Sequence, residues 1–288
     1  MNVLVTGADG FVGQHVVAAL LARGHTVTGA VRGEGPMTGT LPEADVARVA
    51  WRAFDLRDAA SVERVVAEAA PDAILHLAGV ASVSQSFREP EATFDINATG
   101  TLRLLVAVRQ LPAVPVSRPV LLVSSGEVYG SDGTEEAPLT EEMPLRPVTP
   151  YGASKACAEL AVEAFRRSYF AGRGAPGIAT IRAGNIIGGG DWAADRLVPS
   201  IALDATTREA AGPPTSESRA ASQTAWAPSR QRSKRSITSP ITGKQEPVTE
   251  IGYHFRSTPE NLDRWHRWWR AAGRRSPWPT SCVMRGGW

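Results

Sequence analysis

Short apolar runs rich in β-branched residues alternate with longer Ala/Leu/Val-rich stretches over the first two-thirds of the chain. Almost every position in the short runs is apolar, which is typical of strands covered on both faces. The longer stretches have the length of helices, so the alternation predicts an α/β fold with a doubly wound parallel sheet. Strands are predicted at NVLVT, TVTGAV, AILHLA, PVLLVSS and GIATIRA, and helices at Phe11–Arg23, Ala59–Ala70, Glu89–Gln110 and Pro150–Tyr169.

This pattern ends near Asp204, and residues 204–288 have a different character. Only seven of them are Ile, Leu, Val or Phe, whereas six of the eight tryptophans of the chain lie there. They contain 14 Lys and Arg against 7 Asp and Glu, a net charge of +7, while residues 1–203 carry −5. The part from Thr206 to Ser236 is polar and without period, which predicts disorder.

Two hypotheses account for this segment. The abrupt loss of aliphatic residues and the reversal of charge fit a change of reading frame near residue 204. Alternatively the segment is a divergent cap, in which ENLDRWHRWWRAAGRR forms an amphipathic helix with Trp265, Trp268, Trp269 and Ala272 at helical spacing. Sequencing the gene and translating its other frames separates the two hypotheses.

The overall composition is that of a globular protein. The 288 residues are 43% hydrophobic and 21% charged, and the net charge of +2 favours neither nucleic acid nor a membrane surface as a partner. Two cysteines are too few for a disulfide framework. We expect no metal site, since His254 and His266 lack ligand-like neighbours. No signal-peptide or membrane-spanning pattern is found, so a cytoplasmic location is expected.

A glycine-rich turn lies between the first predicted strand and the first helix. VTGADGFVGQHVV places Gly7, Gly10 and Gly13 there, with Phe11 and Val12 between the last two. Glycines permit a tight turn, and the amides and positive dipole of a helix start attract a pyrophosphate. A turn without a ligand is the alternative interpretation. Because the turn opens a βαβ pattern, it predicts dinucleotide binding.

Other residues at strand ends extend this prediction. Arg32 follows the second strand, where an acidic residue would hold the ribose of NAD; its guanidinium suits the 2′-phosphate of NADP. We therefore expect NADP, with NAD as the alternative, since Arg32 could equally be a solvated loop residue. The adenine is expected near Asp55 and Leu56, and the segment HLAG supplies small residues over which the cofactor can lie. The contacts predicted from that segment are Leu77, Ala78 and Gly79.

The sequence TPYGASKACAEL places Tyr151 and Lys155 on one face of a helix that Pro150 begins. A free tyrosine has a pKa of about 10 and is a poor proton carrier at neutral pH. A neighbouring ammonium favours the phenolate and lowers that pKa. Tyr151 is therefore a candidate acid/base group.

Residues 1 to about 203 resemble the extended short-chain dehydrogenase/reductase family, in its nucleotide-sugar branch. The resemblance is carried by TGADGFVG, HLAG, SSGEVYG, YGASK and RAGNIIGGGDW. It implies an NAD(P)-binding Rossmann domain over residues 1–184. It also implies a substrate lobe over 185–288, which here is small and either incomplete or aberrant. The implied chemistry is hydride transfer at C4 of a hexose linked to a nucleoside diphosphate.

The resemblance also implies residue roles. Ser125 would orient the substrate oxygen, Tyr151 would exchange the proton, and Lys155 would bind the nicotinamide ribose and tune the tyrosine. Glu127 corresponds to the residue that takes the C5 proton in family members that are 4,6-dehydratases; in a reductase it could instead be a structural carboxylate. On the substrate side the expected residues are Ser86, Arg182, which also braces its strand end, and Asn185 at the diphosphate.

The reaction subtype is left open by two conflicting signals. Dehydratases carry Asp, Ser or Thr between the serine and the glutamate, where this chain has Gly126, and SSGEVYG resembles the GDP-4-keto-6-deoxymannose reductases. RAGNIIGGGDWAADRLVPSI instead resembles the CDP-glucose 4,6-dehydratases. A 4-keto reductase is the leading hypothesis. A 4,6-dehydratase of GDP-mannose or CDP-glucose, and an inactive NADP-binding protein with a defective lobe, are the alternatives.

The family resemblance also implies the partners. These are a nucleotide-diphospho-sugar as substrate and a second copy of the chain, with neither nucleic acid nor membrane. The homodimer is expected to form a four-helix bundle from the helices around Ala92–Val108 and Ser154–Arg167.

Overall fold

The fold was determined from a computed structural model, which describes residues 1–33, 35–36, 39–112, 118–130, 139–171 and 175–191 and the backbone of 253–256. The chain divides into two units. Every described helix and strand belongs to the unit Met1–Gly190 with Gly252–Trp288; of the other, Asp191–Ile251, the structure describes Asp191. The amphipathic helix predicted at 260–275 and the segment predicted to be disordered lie outside the described residues.

Seven strands form one sheet in the order β3-β2-β1-β4-β5-β6-β7. The chain moves outward from β1 to β3, then restarts beside β1 and moves outward through β4, β5 and β6, with all six strands parallel. The predicted doubly wound parallel sheet is thereby confirmed. The seventh strand runs antiparallel beside β6; neither it nor β3 is among the five predicted runs. The strands are β1 Asn2–Thr6, β2 Thr26–Val31, β3 Val49–Ala53, β4 Ala73–His76, β5 Pro119–Ser125, β6 Gly177–Ala183 and β7 Tyr253–Arg256.

Seven α-helices connect and cover the strands. The helix predicted at Glu89–Gln110 contains a π-helical turn, Asp95–Thr99, between α5 and α6. Side chains cap several helix starts, with Asp58 before α3, Ser82 before α4 and Thr149 before α7. None of the described helices is both long and apolar enough to cross a membrane. The helices are α1 Phe11–Ala22, α2 Glu43–Val46, α3 Ala59–Ala69, α4 Val83–Arg88, α5 Pro90–Phe94, α6 Gly100–Gln110 and α7 Pro150–Ser168.

The two faces of the sheet carry separate hydrophobic clusters, because successive strand residues point to opposite sides. On one face Leu4 and Ile74 pack with residues of α3, α6 and α7, among them Val62 and Leu104. On the other face Val3, Val5 and Val27 pack against α1. Helices thus cover both faces, and the carboxyl ends of the parallel strands meet at one edge.

A buried ion pair ties α7 to β6. The Arg182 guanidinium donates to both carboxylate oxygens of Glu159, with Nε–O distances of 2.9 and 3.0 Å, and the two side chains are 0% and 2% exposed. Ser124 donates to the same carboxylate at 2.6 Å. A third donor of Arg182 reaches the hydroxyl of Tyr129 at 2.7 Å. One network therefore connects β5, β6 and α7 behind the carboxyl edge.

Replacing Arg182 with leucine is expected to lower the free energy of unfolding by about 3–5 kcal/mol, because the Glu159 carboxylate stays buried without its counter-charge. Denaturant titration followed by circular dichroism measures the loss. Arg167→Leu is the matched control. Arg167 pairs with Glu163 on the same helix, but its side chain is 79% exposed, and such pairs contribute about 0–1 kcal/mol. Equal losses in both variants would contradict the prediction.

Candidate active site

The glycine turn after β1 is closed by backbone contacts. Gly7 adopts φ 67°, in the left-handed region, and a Cβ there would lie 2.9 Å from the Cα of Ala78. A Cβ on Gly13 would lie 2.0 Å from the carbonyl oxygen of Gly7. Gly10 donates its amide to that carbonyl at 3.1 Å. Glycine at positions 7 and 13 is therefore required by packing.

The start of α1 fits an anionic group. Gly10 is its N-cap and contributes no capping side chain, and the first turn contains no acidic residue. The amides of a first helical turn have no intrahelical acceptor and face outward along the axis. Phe11 and Val12, predicted as cofactor contacts, are the first two residues of this turn and are partly buried. The turn thus has the form of a pyrophosphate cradle.

The HLAG segment continues the site beside this turn. Leu77 and Ala78 donate their amides to the backbone oxygen and the hydroxyl of Thr6, each at 3.2 Å. A Cβ on Gly79 would lie 3.4 Å from Nζ of Lys155. These three residues therefore lie between the glycine turn and the lysine, and their contacts with a cofactor stay predictions.

The residues predicted for the adenine end lie at the carboxyl ends of β2 and β3. Arg32 is exposed directly after β2. The Arg57 side chain holds the Asp55 carboxylate with contacts of 2.7–3.2 Å, and its hydrogen bond is the main cause that lowers the pKa of Asp55. Leu56 is 5% exposed and packs in the core. The cofactor contacts of Arg32 and Asp55 stay predictions.

Helix α7 begins against the turn that follows β5. Thr149 accepts the amide of Gly152 at 2.9 Å, and the amide of Tyr151 donates to Ser86 Oγ at 3.0 Å. A Cβ on Gly152 would lie 2.6 Å from the carbonyl oxygen of Glu127. The first turn of α7, with Tyr151 8% exposed, is therefore seated directly on the segment predicted to carry the catalytic hydroxyl.

That segment is the end of β5 and a 3₁₀ turn, Gly126–Tyr129. Ser125 is 8% exposed, and its hydroxyl accepts the amide of Glu127 at 3.2 Å. The side chain of Glu127 is exposed. A Cβ on Gly126 would meet its nearest atom at 3.7 Å, an ordinary contact. The turn can therefore accept a side chain at position 126, although this chain has none.

Burial lowers the pKa of two side chains that lie below the carboxyl edge of the sheet. Burial lowers the pKa of Lys155 to about 8, against the opposing effect of the Glu159 carboxylate, and its ammonium donates to the Val123 carbonyl at 3.1 Å. Burial, and then the charge of Lys155, lower the pKa of His76 to about 3. His76 is therefore neutral at physiological pH, and its ring nitrogens contact hydroxyls of Thr6 and Thr101 at 2.8 and 3.3 Å.

Two predicted substrate contacts are fully buried. Ser86 is 0% exposed; its hydroxyl donates to the Val83 carbonyl and accepts the Tyr151 amide, so it anchors α7. Arg182 is also 0% exposed, and its donors engage Glu159 and Tyr129, so it braces the end of β6. The substrate contacts of both residues stay predictions. Asn185 is exposed two residues after β6, and its substrate contact stays a prediction.

The sequence analysis missed Asn97, which lies in the π-helical turn and is 2% exposed. Its amide group accepts from the Val80 amide at 2.9 Å, and donates to the Val80 carbonyl and to Ser154 at 3.1 and 3.0 Å. It thereby joins the segment after HLAG to α7. An asparagine inside a long apolar helix was the available signal, because asparagine is disfavoured there and π-turns often occur at functional sites.

Comparison with known proteins agrees with this arrangement. The sequence model of the GDP-mannose 4,6 dehydratase family matches residues 4–172. The chain belongs to the extended short-chain dehydrogenase/reductase family of nucleotide-sugar enzymes. A CDP-glucose 4,6-dehydratase of Salmonella typhimurium is 34% identical over 69% of this chain and 56% of that protein. A GDP-mannose 4,6-dehydratase of Vibrio cholerae is 33% identical over 58% of this chain and 49% of that protein.

Solved structures give the same family. A dTDP-glucose 4,6-dehydratase of Streptomyces venezuelae with NAD bound is 29% identical, with a TM-score of 0.58 over 72% of this chain and 62% of that one. A UDP-glucose 4-epimerase of Thermus thermophilus in complex with NAD is 36% identical, with a TM-score of 0.52 over 59% of this chain and 52% of that one. The chain spans about half the length of the relatives it matches.

Replacing Gly13 with alanine is expected to destabilise the fold and to weaken NADPH binding. Alanine gains about 1 kcal/mol of helix propensity over glycine, but a Cβ 2.0 Å from a backbone oxygen forces a shift that costs about 1–3 kcal/mol, and the shift opens the cradle. Denaturant titration and calorimetry measure the two effects. The control is Gly189→Ala, whose Cβ would have nothing within 4 Å. Unchanged NADPH affinity in the Gly13 variant would contradict the prediction.

Proposed function

We propose that this protein is an NAD(P)-dependent oxidoreductase that acts at C4 of the sugar in a nucleotide-diphospho-sugar, most directly by reducing a 4-keto group. The observation that carries the proposal is the seating of α7 on the Ser125 turn, with the carbonyl oxygen of Glu127 2.6 Å from a Cβ at Gly152. This contact brings the helix of Tyr151 and Lys155 to the strand end that carries the serine.

Each residue of the candidate site has a distinct role in this proposal. The amides at Gly10–Gly13 would hold the pyrophosphate, and Lys155 would bind the nicotinamide ribose. When bound, a nicotinamide cofactor supplies or accepts hydride. Ser125 orients the sugar oxygen by a hydrogen bond, Tyr151 gives it a proton, and the Lys155 ammonium on the same helix stabilises the phenolate that is left.

The glycine at position 126 suits the reduction of a keto group better than it suits a dehydration. Expelling the C6 hydroxyl of a sugar needs a proton donor beside Glu127, and Gly126 offers no side chain. A keto reduction needs only the hydride, the proton from Tyr151 and the hydrogen bond from Ser125. In a reductase Glu127 has no proton to abstract, and its exposed carboxylate is left for contact with substrate hydroxyls.

A 4,6-dehydratase is the second candidate, and the relatives favour it. The proteins compared above include dehydratases of CDP-glucose, GDP-mannose and dTDP-glucose. Glu127 is present for the C5 proton, and in this case a water or another group would have to supply the C6 proton.

Turnover separates the two candidates. The full chain is incubated with NADPH and a nucleotide-linked 4-keto-6-deoxy sugar, and separately with the oxidised cofactor, NADP⁺ or NAD⁺, and GDP-mannose or CDP-glucose. Consumption of NADPH with the keto sugar supports the reductase proposal. Formation of a 4-keto-6-deoxy product from GDP-mannose or CDP-glucose would instead identify the protein as a dehydratase. Binding of NADPH without either turnover would identify an inactive binding protein, and absence of NADPH binding would contradict the proposal as a whole.

Tyr151→Phe is expected to lower kcat by about 10²–10⁴-fold, the contribution of a general acid, while NADPH affinity stays unchanged. Steady-state kinetics and calorimetry measure the two quantities. Tyr169→Phe is the matched control, since Tyr169 is 52% exposed beyond the end of α7. Full activity of the Tyr151 variant would remove the tyrosine from the mechanism.

The proposed cofactor is NADP, supported by exposed Arg32 at the end of β2. Arg32→Ala is expected to weaken NADPH binding about tenfold, because it removes a charge-assisted contact to the 2′-phosphate, and to leave NADH binding unchanged. Calorimetric titration with both cofactors measures the ratio. Arg52→Ala on the neighbouring β3, 44% exposed, is the control. An equal loss for both cofactors would contradict the proposed preference.

We also propose a homodimer through α5, α6 and α7. Its support is the exposure of apolar side chains on these helices, with Leu160 61% and Leu102 37% exposed. Packing of the same helices from a second copy would remove both side chains from water.

A further inference from the structure

Lys155 and Glu159, one helical turn further along α7, both line a small cavity. Its walls also include His76, Ser124, Thr101 and Thr180. Its volume of about 10 Å³ is the space that one water molecule needs. The lining supplies hydroxyls, an ammonium and a carboxylate beside the apolar side chains of Leu122, Ala158 and Val162.

The Glu159 carboxylate is held in one position. Arg182 grips both of its oxygens, and Ser124 donates to one of them at 2.6 Å. These charge-assisted hydrogen bonds fix the orientation of the carboxylate. Its charge acts across the cavity on the Lys155 ammonium, against the burial that favours the neutral amine.

The other charged and titratable groups around Lys155 do not replace this effect. On β4, His76 is neutral and its ring nitrogens contact two threonine hydroxyls. On β6, the positive Arg182 lies behind Glu159 and opposes a second positive charge. Tyr151 lies one turn earlier on α7, and β5 contributes the Val123 carbonyl.

We propose that Glu159 is a positioning residue for Lys155: its buried carboxylate, fixed by Arg182 and Ser124, keeps the lysine protonated across the cavity. The importance of that proton for turnover rests on the proposed function, because the ammonium is the group that would tune Tyr151. The protonation state itself can be measured without cofactor or substrate.

The test is competitive labelling of Lys155 with acetic anhydride as a function of pH, with the labelled peptide quantified by mass spectrometry. The midpoint of the labelling curve reports the lysine pKa independently of its accessibility. In the unmodified protein it is expected at about 8. Glu159→Gln is expected to move it downward, so that the fraction of neutral amine at pH 7 rises about threefold or more.

Two further variants make the result decisive. Glu163→Gln removes the same charge from the same helix at a side chain that pairs with Arg166 and Arg167, and its midpoint is expected to equal that of the unmodified protein. Should Glu159→Gln fail to fold, the double variant Glu159→Gln/Arg182→Gln, which leaves no unpaired charge, takes its place. Its Lys155 midpoint is expected to move in the same direction as in Glu159→Gln, by a smaller amount.

An unchanged Lys155 midpoint in a folded Glu159 variant would overturn the proposal, as would an equal shift in the Glu163 variant. A shift confined to the Glu159 variants supports it even if the chain turns over no sugar nucleotide. NADPH titration of the same samples shows separately whether the cofactor site is functional, so the two proposals can fail independently.

Discussion

Backbone touches backbone at the carboxyl edge of the sheet, and the candidate site depends on those contacts. A Cβ on Gly13 would reach the Gly7 carbonyl oxygen at 2.0 Å, and one on Gly152 would reach the Glu127 carbonyl oxygen at 2.6 Å. The first contact closes the turn before α1, and the second seats α7 on the turn after β5. Because a close-packed interior transmits such displacements, the separation between the glycine turn and Tyr151 is set by the packed sheet and helices rather than by loop conformation.

Burial lowers the pKa of the groups below this edge, but the charge that each group keeps also depends on the side chains that it faces. His76 and Lys155 both lie under the sheet edge, and desolvation lowers the pKa of each, to about 3 and about 8. The histidine faces hydroxyls and a positive lysine, so it is neutral. The lysine has a carboxylate across a small cavity, so much of its charge is retained. Arg182 keeps its charge through direct contacts with Glu159. Lys155 and Arg182 therefore both depend on the accurate placement of the Glu159 carboxylate.

Five of the seven described strands, and the edge at which the site lies, could be predicted from the sequence because they depend on local pattern. Four of the five predicted runs coincide with strands; the fifth run, AILHLA, continues two residues beyond the end of β4 at His76, and β3 and β7 were not among the predicted runs. The burial of Ser86 and Arg182 could not be predicted because it depends on groups distant in sequence: Ser86 meets an amide 65 residues away and Arg182 a carboxylate 23 residues away. Asn97 was missed for the same reason, since a π-turn and its partners are tertiary features.

Glycine has a different meaning at position 126 than at position 13. At Gly13 packing excludes any side chain, so the residue is explained by the fold. At Gly126 a Cβ would meet its nearest atom, the Ala183 carbonyl oxygen, at 3.7 Å, and φ is not in the left-handed region. A Cβ therefore fits at position 126, and packing does not explain the absence of a proton donor there. What the glycine changes is the chemistry beside Glu127: the turn keeps the hydrogen-bonding serine and the carboxylate while providing no side chain to expel a hydroxyl. This is the physical ground for the proposal that the chain reduces a 4-keto group, although dehydratases are among its relatives.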